Sequence, residues 1–307
     1  MKNIYYLGFL LLTHCGAASE NAAPMEKTVA VAGDTLSKPP SKMAALNNTV
    51  KPAGKDSLIY AEGKTVRERF LLPEGYLLPA LQENSFESYL GNFPLKAAGS
   101  PVHHFDGSIK PKEVHAAVLD IDVGTADLQQ CADAVMRLRA EYLYKTGRYD
   151  NIHFNFTNGM RVDFRKWAEG NRLRITGNNA TWYKAASPAS DYNTFRAYLT
   201  QIFQYAGTAS LSKEMVPVAV EEVRAGDVFI KGGFPGHAVI VLAIATHQQT
   251  GNKLCLLAQS YMPAQEIHVL KNTNQPDMSP WYDLSQMAAC YTPEWTFSKS
   301  ALKRFRE

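Results

Sequence analysis

Two long segments of the chain carry apolar residues at helical spacing. In residues 127–145 apolar side chains recur every three or four positions, and Asp127 followed by Gln130 is typical of a helix start. Residues 191–205 show the same spacing, and Gly207 then favours a helix end. Residues 85–90 predict a short amphipathic helix. The pattern therefore predicts two long helices, with residues 127–145 as the central one.

Strand patterns dominate beyond Gly207. The polar segment 247–252, which separates two apolar runs, predicts a hairpin turn. Because the long helices come first and antiparallel strands follow, the sequence predicts an α+β fold. The predicted strands are residues 114–121, 152–156, 227–230, 237–245, 253–259 and 267–270.

The N-terminus has the order of charge and hydrophobicity of a secretory signal. Lys2 precedes an apolar core at residues 4–12, and small residues follow at 16–18. This core is too short to span a membrane. Residues 19–62 are rich in Ala, Lys, Ser, Pro, Asn and Gly and show no period, which is typical of a tether. The predicted organisation is a signal peptide at 1–18, a flexible tether at 19–62 and a single α+β domain at 63–305.

Cys15 lies just after the apolar core, and residues 12–15 resemble a bacterial lipobox, in which the cysteine carries a lipid. His14 stands where that motif has a small residue, so ordinary cleavage after Ala18 is the alternative. The prediction is an exported protein, either lipid-anchored in the cell envelope through Cys15 or free in the periplasm or medium. The lipid would be its only membrane contact.

Charge and composition exclude some functions. The 307 residues include 32 Lys and Arg against 29 Asp and Glu, a formal net charge of +3, which is too small for a dedicated nucleic-acid surface. We therefore expect no nucleic-acid partner. With 46% hydrophobic residues the chain has enough apolar side chains for a core, so it is not wholly disordered.

The cysteine and histidine spacing predicts no metal and no other cofactor. No CxxC pair occurs, and the adjacent His103 and His104 point to opposite sides of an extended chain. Cys255 and Cys290 have two interpretations: a disulfide formed in an oxidising compartment, or two buried thiols.

Cys131 also has two interpretations. It falls on the apolar stripe of the central helix, where a cysteine commonly packs in a core. Alternatively it is a nucleophile near a helix N-terminus, where the helix dipole and a histidine partner would lower the pKa of the thiol.

Residues 225–230 and 236–241 resemble the Gly-Asp strand and the Gly-His strand of NlpC/P60-type and related papain-like cysteine peptidases. The resemblance implies a papain-like antiparallel sheet packed on a central helix, here with extra helices, and implies roles for Cys131 as nucleophile and His237 as base. The surrounding residues 127–133 depart from the family motif, and the helix predicted from Asp127 would place Cys131 about one turn inside it.

The hairpin predicts a third member of this site. A turn centred near residue 248 pairs His237 with Gln259 across the ladder. The Gln259 carbonyl would then accept a hydrogen bond from one ring nitrogen and leave the other nitrogen as the base for Cys131. Ser260 would point to the opposite face.

Three segments, residues 127–142, 235–241 and 258–265, resemble an exported bacterial family without an assigned activity, domain of unknown function 4846. Our interpretation is an exported cell-envelope protein that acts as a thiol peptidase or amidase on cell-wall peptides or related amides. The alternative is a non-catalytic envelope lipoprotein that binds a glycan or a protein through its aromatic surface.

Overall fold

The computed structural model describes residues 58–285 and 288–306. The predicted signal peptide, Cys15 and residues 19–57 of the predicted tether lie outside the described residues. The first described residues are hydrogen-bonded to the fold: the carbonyl of Leu58 accepts from the backbone N–H of Leu71, and the backbone N–H of Tyr60 donates to the carbonyl of Arg69. Within the described ranges, no helix is both long and apolar enough to cross a membrane.

Short elements outnumber long ones in the described residues. The helices are α1 Val66–Arg69, α2 Phe86–Gly91, α3 Cys131–Lys145, α4 Phe164–Ala168, α5 Tyr192–Tyr205 and α6 Thr208–Glu214. The first eight strands are β1 Tyr76–Leu77, β2 His115–Val118, β3 His153–Asn155, β4 Arg161–Asp163, β5 Asn171–Thr176, β6 Asn179–Lys184, β7 Val216–Pro217 and β8 Val228–Lys231. The others are β9 His237–His247, β10 Lys253–Gln259, β11 His268–Leu270, β12 Trp281–Asp283, β13 Ala289–Tyr291, β14 Thr296–Ser298 and β15 Leu302–Arg304.

A nine-stranded antiparallel sheet organises these elements. Seven strands follow the order β2-β11-β10-β9-β8-β15-β7, while β1 pairs with the far end of β9 and β12 pairs with β10. Three separate hairpins are formed by β3–β4, β5–β6 and β13–β14. The predicted α+β class with antiparallel strands is therefore confirmed.

Strand β9 is buried on both faces, which explains its continuous apolar run. Ala238, Ile240 and Leu242 belong to the core that also contains α3, whereas Val239 and Val241 belong to a second core on the other face. A β-bulge opposite Leu256 and Leu257 leaves Leu242 without a partner in the ladder. Before the bulge the even-numbered residues of β9 face the α3 core, and after it the odd-numbered residues do. The pairing register changes by one residue at the same point.

Helix α3 begins at Cys131, so the prediction of a start at Asp127 is wrong. Gln130 is the N-cap residue, and its backbone N–H donates to Asp133 Oδ2 at 3.1 Å. Asp127 instead accepts from the backbone N–H of Ala264 at 2.7 Å, which ties the loop before α3 to the loop after β10. Cys131 therefore occupies the first helical position.

Helix α6 ends at Glu214, whose carboxyl group packs against the β3–β4 hairpin. Its Oε1 accepts from the backbone N–H of Asn155 at 2.8 Å, and its side chain is only 13% exposed. Burial raises the pKa of Glu214 to about 7. Because the pKa of Glu214 is higher in the folded protein than the unfolded value of 4.5, the protonated carboxyl favours the folded state. This contribution to the free energy of unfolding is complete below pH 4.5 and is lost as the pH rises through about 7.

We expect Glu214→Gln to stabilise the protein at pH 8 by on the order of 1–3 kcal/mol and to change little at pH 5. Glutamine keeps an oxygen for the Asn155 N–H and carries no charge to desolvate. Urea unfolding at both pH values checks this, with the exposed Glu74→Gln as the matched control. An equal effect at pH 5 and pH 8 would rule out the charge as the cause.

Candidate functional site

The site lies where the first turn of α3 meets the start of β9 and the end of β10. The Ser260 hydroxyl, just after β10, donates to the carbonyl of Gln129 at 2.9 Å and lies 2.7 Å from the carbonyl of Gln265. Ser260 is fully buried, and within the described residues no hydrogen bond joins it to His237. Together with the bond between Asp127 and Ala264, it holds Cys131 against this end of the sheet.

The Cys131 thiol is partly buried and lies beside strand β9. The backbone N–H groups of Ala132, of Cys131 itself and of Ala238, the residue after His237, lie close enough to the sulfur to act on its ionisation. These donors favour the thiolate, but burial outweighs them and raises the pKa of Cys131 to about 11. The expectation of a lowered thiol pKa is therefore wrong, because the helix N-terminus does not offset the loss of solvation.

His237 and Gln259 are in direct contact, although not as the predicted cross-strand pair. His237 Nε2 lies 2.8 Å from Gln259 Oε1. The ladder pairs Gln259 with His268 of β11, and the β9–β10 register, continued by one position, would place Gln259 opposite Val239. The predicted pairing is wrong because the turn is centred beyond residue 248 and the strand carries a bulge. The long side chains meet on the diagonal instead.

Two acceptors fix the orientation of the Gln259 amide. Gln259 Nε2 donates to Glu294 Oε2 at 2.6 Å and lies 3.5 Å from Nε2 of His268. His268 Nδ1 lies 2.9 Å from the carbonyl of Glu266, which can only accept, so Nδ1 carries the proton and Nε2 is a lone pair. Both neighbours therefore require the amide nitrogen, and the amide oxygen faces His237.

This orientation also fixes the tautomer of His237. A ring nitrogen facing the amide oxygen must carry the proton, so Nε2 is protonated and Nδ1 has the lone pair. Burial lowers the pKa of His237 to about 4, which keeps the ring neutral at physiological pH. In the part of the chain that the structure describes, no hydrogen bond joins Nδ1 or Nε2 to Cys131. Tyr261 lies between the two groups: it contacts the His237 ring, and its pKa is raised by burial first, then by Glu294 and by Cys131.

Aromatic rings enclose His237. The ring centroids of Tyr261, Trp295 and Phe297 lie 4.9, 5.4 and 5.9 Å from the imidazole centroid. Only 1% of His237 is exposed. Such surroundings fix the ring plane and exclude water, and their low polarity is the reason that protonation of the imidazole is unfavourable.

Glu294 and Lys110 extend this arrangement, and sequence reasoning missed both. Lys110 Nζ lies 2.9 Å from Glu294 Oε1, and their side chains are 6% and 10% exposed. The lysine neutralises the carboxylate that orients Gln259. No motif or period connects position 294 with β10, so the sequence offers no signal for this contact.

Cys255 and Cys290 are free and buried in the same apolar core. His103 lies 3.2 Å from Glu266, as an ion pair if protonated. Among the described residues, no group of three or more His, Cys, Asp or Glu side chains is arranged to hold a metal ion.

Comparisons with known proteins give one match. A family model described as domain of unknown function 4846 matches residues 66–304, which include Cys131, His237, Gln259 and Glu294. No curated protein and no solved structure matches the chain. Since the match covers most of the sequence, the chain belongs to the family of domain of unknown function 4846.

Proposed function

We propose that the protein is an exported thiol hydrolase, a peptidase or amidase that cuts amide bonds in cell-wall peptides or related substrates. The observation that carries the proposal is the 2.8 Å contact between His237 and Gln259. The residue after His237 is Ala238, whose backbone N–H lies close enough to the Cys131 sulfur to favour the thiolate. A cysteine at the first position of a helix, followed in the chain by a histidine and a polar side chain on a sheet, supports a papain-like arrangement of the same groups.

The proposed reaction begins with Cys131 and His237 both neutral. His237 Nδ1 removes the thiol proton as Sγ attacks the substrate carbonyl carbon, and the C–O π electrons move to oxygen. Collapse of this intermediate breaks the C–N bond, and His237 returns the proton to the leaving amine. A water then attacks the thioester with His237 again as base, which releases the acid and the free thiol.

The surrounding groups serve this chemistry in separate ways. Gln259 holds the imidazole so that Nδ1, not Nε2, is the base. The backbone N–H of Cys131 is at the first helical position and has no acceptor in the helix. In the resting site it favours the thiolate of its own side chain, and in the reaction it would donate to the developing oxyanion. The contact between thiol and imidazole would form on substrate binding, as such contacts often tighten only in the complex.

The test is incubation of the purified protein with peptide fragments of bacterial cell wall, followed by mass spectrometry. We expect new amine and carboxyl ends and, after acid quenching, an acyl group on Cys131. Cys131→Ala should abolish both, whereas the matched variant Cys290→Ala, which removes a thiol from the second core, should retain them. Cleavage that survives Cys131→Ala would contradict the proposal.

A non-catalytic binding protein is the second candidate, and two observations favour it. The high pKa of Cys131 and the burial of His237 are typical of packed, unreactive groups. Two apolar side chains are exposed beside the site: Phe234, just before β9, is 97% exposed, and Met262, just after β10, is 54% exposed. Absence of any cleavage or acylation by the wild-type protein would favour this candidate.

Glu294→Gln should lower kcat about 10- to 1,000-fold with little change in KM. A glutamine at position 294 can donate as well as accept, so the Gln259 amide can rotate by half a turn and stabilise the His237 tautomer that is protonated at Nδ1. Nitrogen NMR of the imidazole reports the tautomer directly and does not depend on activity. The matched control is Glu113→Gln, which removes an exposed carboxylate 4.0 Å from Lys271. An unchanged His237 spectrum in Glu294→Gln would contradict the orienting role.

A further inference from the structure

The β5–β6 hairpin stands outside the nine-stranded sheet and belongs to a strongly basic segment. Residues 161–190, which include the hairpin, contain six Lys and Arg against two Asp and Glu, a net charge of +4. Because the whole chain has a net charge of +3, all the other residues together carry −1. The positive charge of the protein is therefore concentrated in this segment.

Two of these six cations are neutralised locally. Arg161 pairs with Asp163, and Arg165 pairs with Asp150, both at 2.8 Å. The other four form no ion pair with a carboxylate of the described residues: Lys166, Arg172, Arg174 and Lys184. Since Glu169 is the one carboxylate of the segment outside these pairs, the segment keeps a clear excess of positive charge.

Backbone carbonyls hold two of the four cations in place without neutralising them. Arg172 Nη1 donates to the carbonyls of Trp167 and Asn171 at 2.9 and 2.7 Å, and its guanidinium lies 4.2 Å from the Trp167 ring centroid. Lys184 donates to the carbonyl of Glu169. Both side chains therefore keep their charge for an anion outside the chain.

The outer face of the hairpin carries two of these cations and an exposed tyrosine. Alternate residues of a strand share a face, and the buried Leu173 marks the inner one. Arg172 and Arg174 therefore lie on the outer face, where the ladder pairs Arg172 with Tyr183. The Arg174 guanidinium lies 5.0 Å from the ring centroid of Tyr183, which is 42% exposed.

The hairpin is fixed to the rest of the fold at both ends. At its turn, the carbonyl of Asn178 accepts from Asn158 Nδ2, in the turn between β3 and β4, at 2.7 Å. At its base, the backbone N–H groups of Ala185 and Ala186 donate to the carbonyl of Gly170, both at 3.0 Å. The outer cations are therefore presented by an anchored ribbon.

The aromatic rings favour an anionic partner over the face of a sugar. Arg174 lies over the ring of Tyr183, and Lys166 lies over the ring of Trp182 at 5.1 Å from its centroid. A cation therefore already occupies one face of each ring, and Trp182 also packs against the main core. The N–H groups at the edge of a stacked guanidinium stay open to phosphate oxygens.

The shape and composition of the hairpin favour a membrane as the source of those phosphates. The outer face of a two-stranded ribbon is an open surface, whereas a single polymer chain is better held in a groove. The turn residues 176–179 are polar and exposed, so the hairpin would lie on the lipid without inserting. Tyr beside Arg or Lys is typical of the headgroup level of a membrane.

We propose that the outer face of the β5–β6 hairpin binds the surface of an anionic membrane, where Arg172 and Arg174 contact lipid phosphates. This contact acts in addition to any lipid attached at Cys15. It is independent of the proposed hydrolase activity, because none of its residues belongs to the Cys131 site.

Co-sedimentation of the full chain with vesicles tests the proposal. Cys15→Ser is present in every sample, so that no lipid is attached at that position. One set of vesicles contains about one-third phosphatidylglycerol in phosphatidylcholine, and the other contains phosphatidylcholine alone. We expect about tenfold or more tighter binding to the anionic vesicles, and we expect this preference to be lost at about 0.5 M salt.

Two results would overturn the proposal. The first is equal binding to both sets of vesicles. The second is no binding to the anionic vesicles, and soluble polygalacturonate that binds in their place would assign the hairpin to an anionic glycan instead.

Variants locate the contact on the hairpin. Arg174→Gln should weaken binding to the anionic vesicles about fivefold, and Arg174→Glu should weaken it more. Thr181→Glu places a carboxylate directly opposite Arg174 in the ladder while it leaves the guanidinium in place, and it should also weaken binding. Arg148→Glu is the matched control, because Arg148 is exposed and stacks on Tyr142 at 4.5 Å but lies outside the hairpin.

Full affinity in both Arg174→Glu and Thr181→Glu, with circular dichroism showing an intact fold, would contradict the assignment to this face. An equal loss in Arg148→Glu would also contradict it, since net charge alone would then explain the binding.

Discussion

Alkylation of Cys131 by iodoacetamide should be on the order of a hundred times slower at pH 7 than alkylation of an exposed cysteine, and should accelerate steadily up to about pH 10. A thiol with a pKa of about 11 is ionised in roughly one molecule in ten thousand at pH 7. Only the thiolate reacts, and the greater nucleophilicity of a more basic thiolate recovers a fraction of this loss.

Mass spectrometry of the modified peptide measures the rate at Cys131 alone, separately from other cysteines. Cys255 and Cys290 are buried to 0% and 1% exposure and serve as internal controls that should react more slowly still. Rapid alkylation of Cys131 with an apparent pKa below about 7 would show that an ion pair with His237 exists in solution, which contradicts the two neutral groups described above.

The same pKa values distinguish the proposed mechanism from one that starts with a thiolate. If His237 acts as a base on a neutral thiol, hydrolysis requires the unprotonated imidazole, and burial lowers its pKa to about 4. Activity should then fall only below about pH 5 and stay nearly constant up to pH 9. Slow alkylation together with measurable hydrolysis would therefore agree with the proposed mechanism. The substrate brings His237 into contact with the thiol, whereas iodoacetamide does not.

Local signals in the sequence were sufficient to predict strand β10 and helix α5. Strand β10 has the predicted bounds, 253–259, and α5 begins directly after Asp191, which caps it through the backbone N–H of Thr194. Both depend on side chains within one turn or one strand. Cys131, His237 and Gln259 could likewise be selected from the sequence, because each lies in or beside such an element.

The start of α3 shows why local signals can mislead. Asp127 with Gln130 and Gln130 with Asp133 are two overlapping patterns of the same form, and either is compatible with a helix start. The choice is made by the backbone N–H of Ala264, which engages Asp127 from a loop that is remote in sequence. A contact of that kind has no local signal.

Two features of the site depend on long-range packing and could not be predicted from the sequence: the β-bulge in β9 and the contact made by Glu294. The bulge at Leu242 lies within an unbroken apolar run, so no change of pattern indicates that the register shifts there. Glu294 comes from a connection between the three-residue strands β13 and β14, and its contact with Gln259 spans 35 positions. Short strands of this kind carry too few residues for a period to be recognised.

Arg137→Met should destabilise the protein by about 3–5 kcal/mol, since the side chain is fully buried within a network of polar groups. Arg137 Nε donates to Glu141 Oε1 at 2.6 Å and Nη1 donates to Gln129 Oε1 at 2.9 Å, while Nη2 donates to Asp122 Oδ2 at 3.2 Å. Methionine fills much of the volume but leaves the Glu141 carboxylate, whose side chain is 12% exposed, without its cation. Urea unfolding at pH 7 measures the loss.

Arg161→Met is the matched control, because Arg161 pairs with Asp163 at 2.8 Å while the two side chains are 55% and 35% exposed. That exposed pair should contribute less than about 1 kcal/mol. The buried network also extends to the site. Gln129 lies two residues before Cys131, and its backbone carbonyl accepts from the Ser260 hydroxyl. Arg137→Met should therefore speed alkylation of Cys131 under native conditions while Arg161→Met leaves it unchanged. Equal stability losses in the two variants would show that the buried network contributes no more than a surface ion pair.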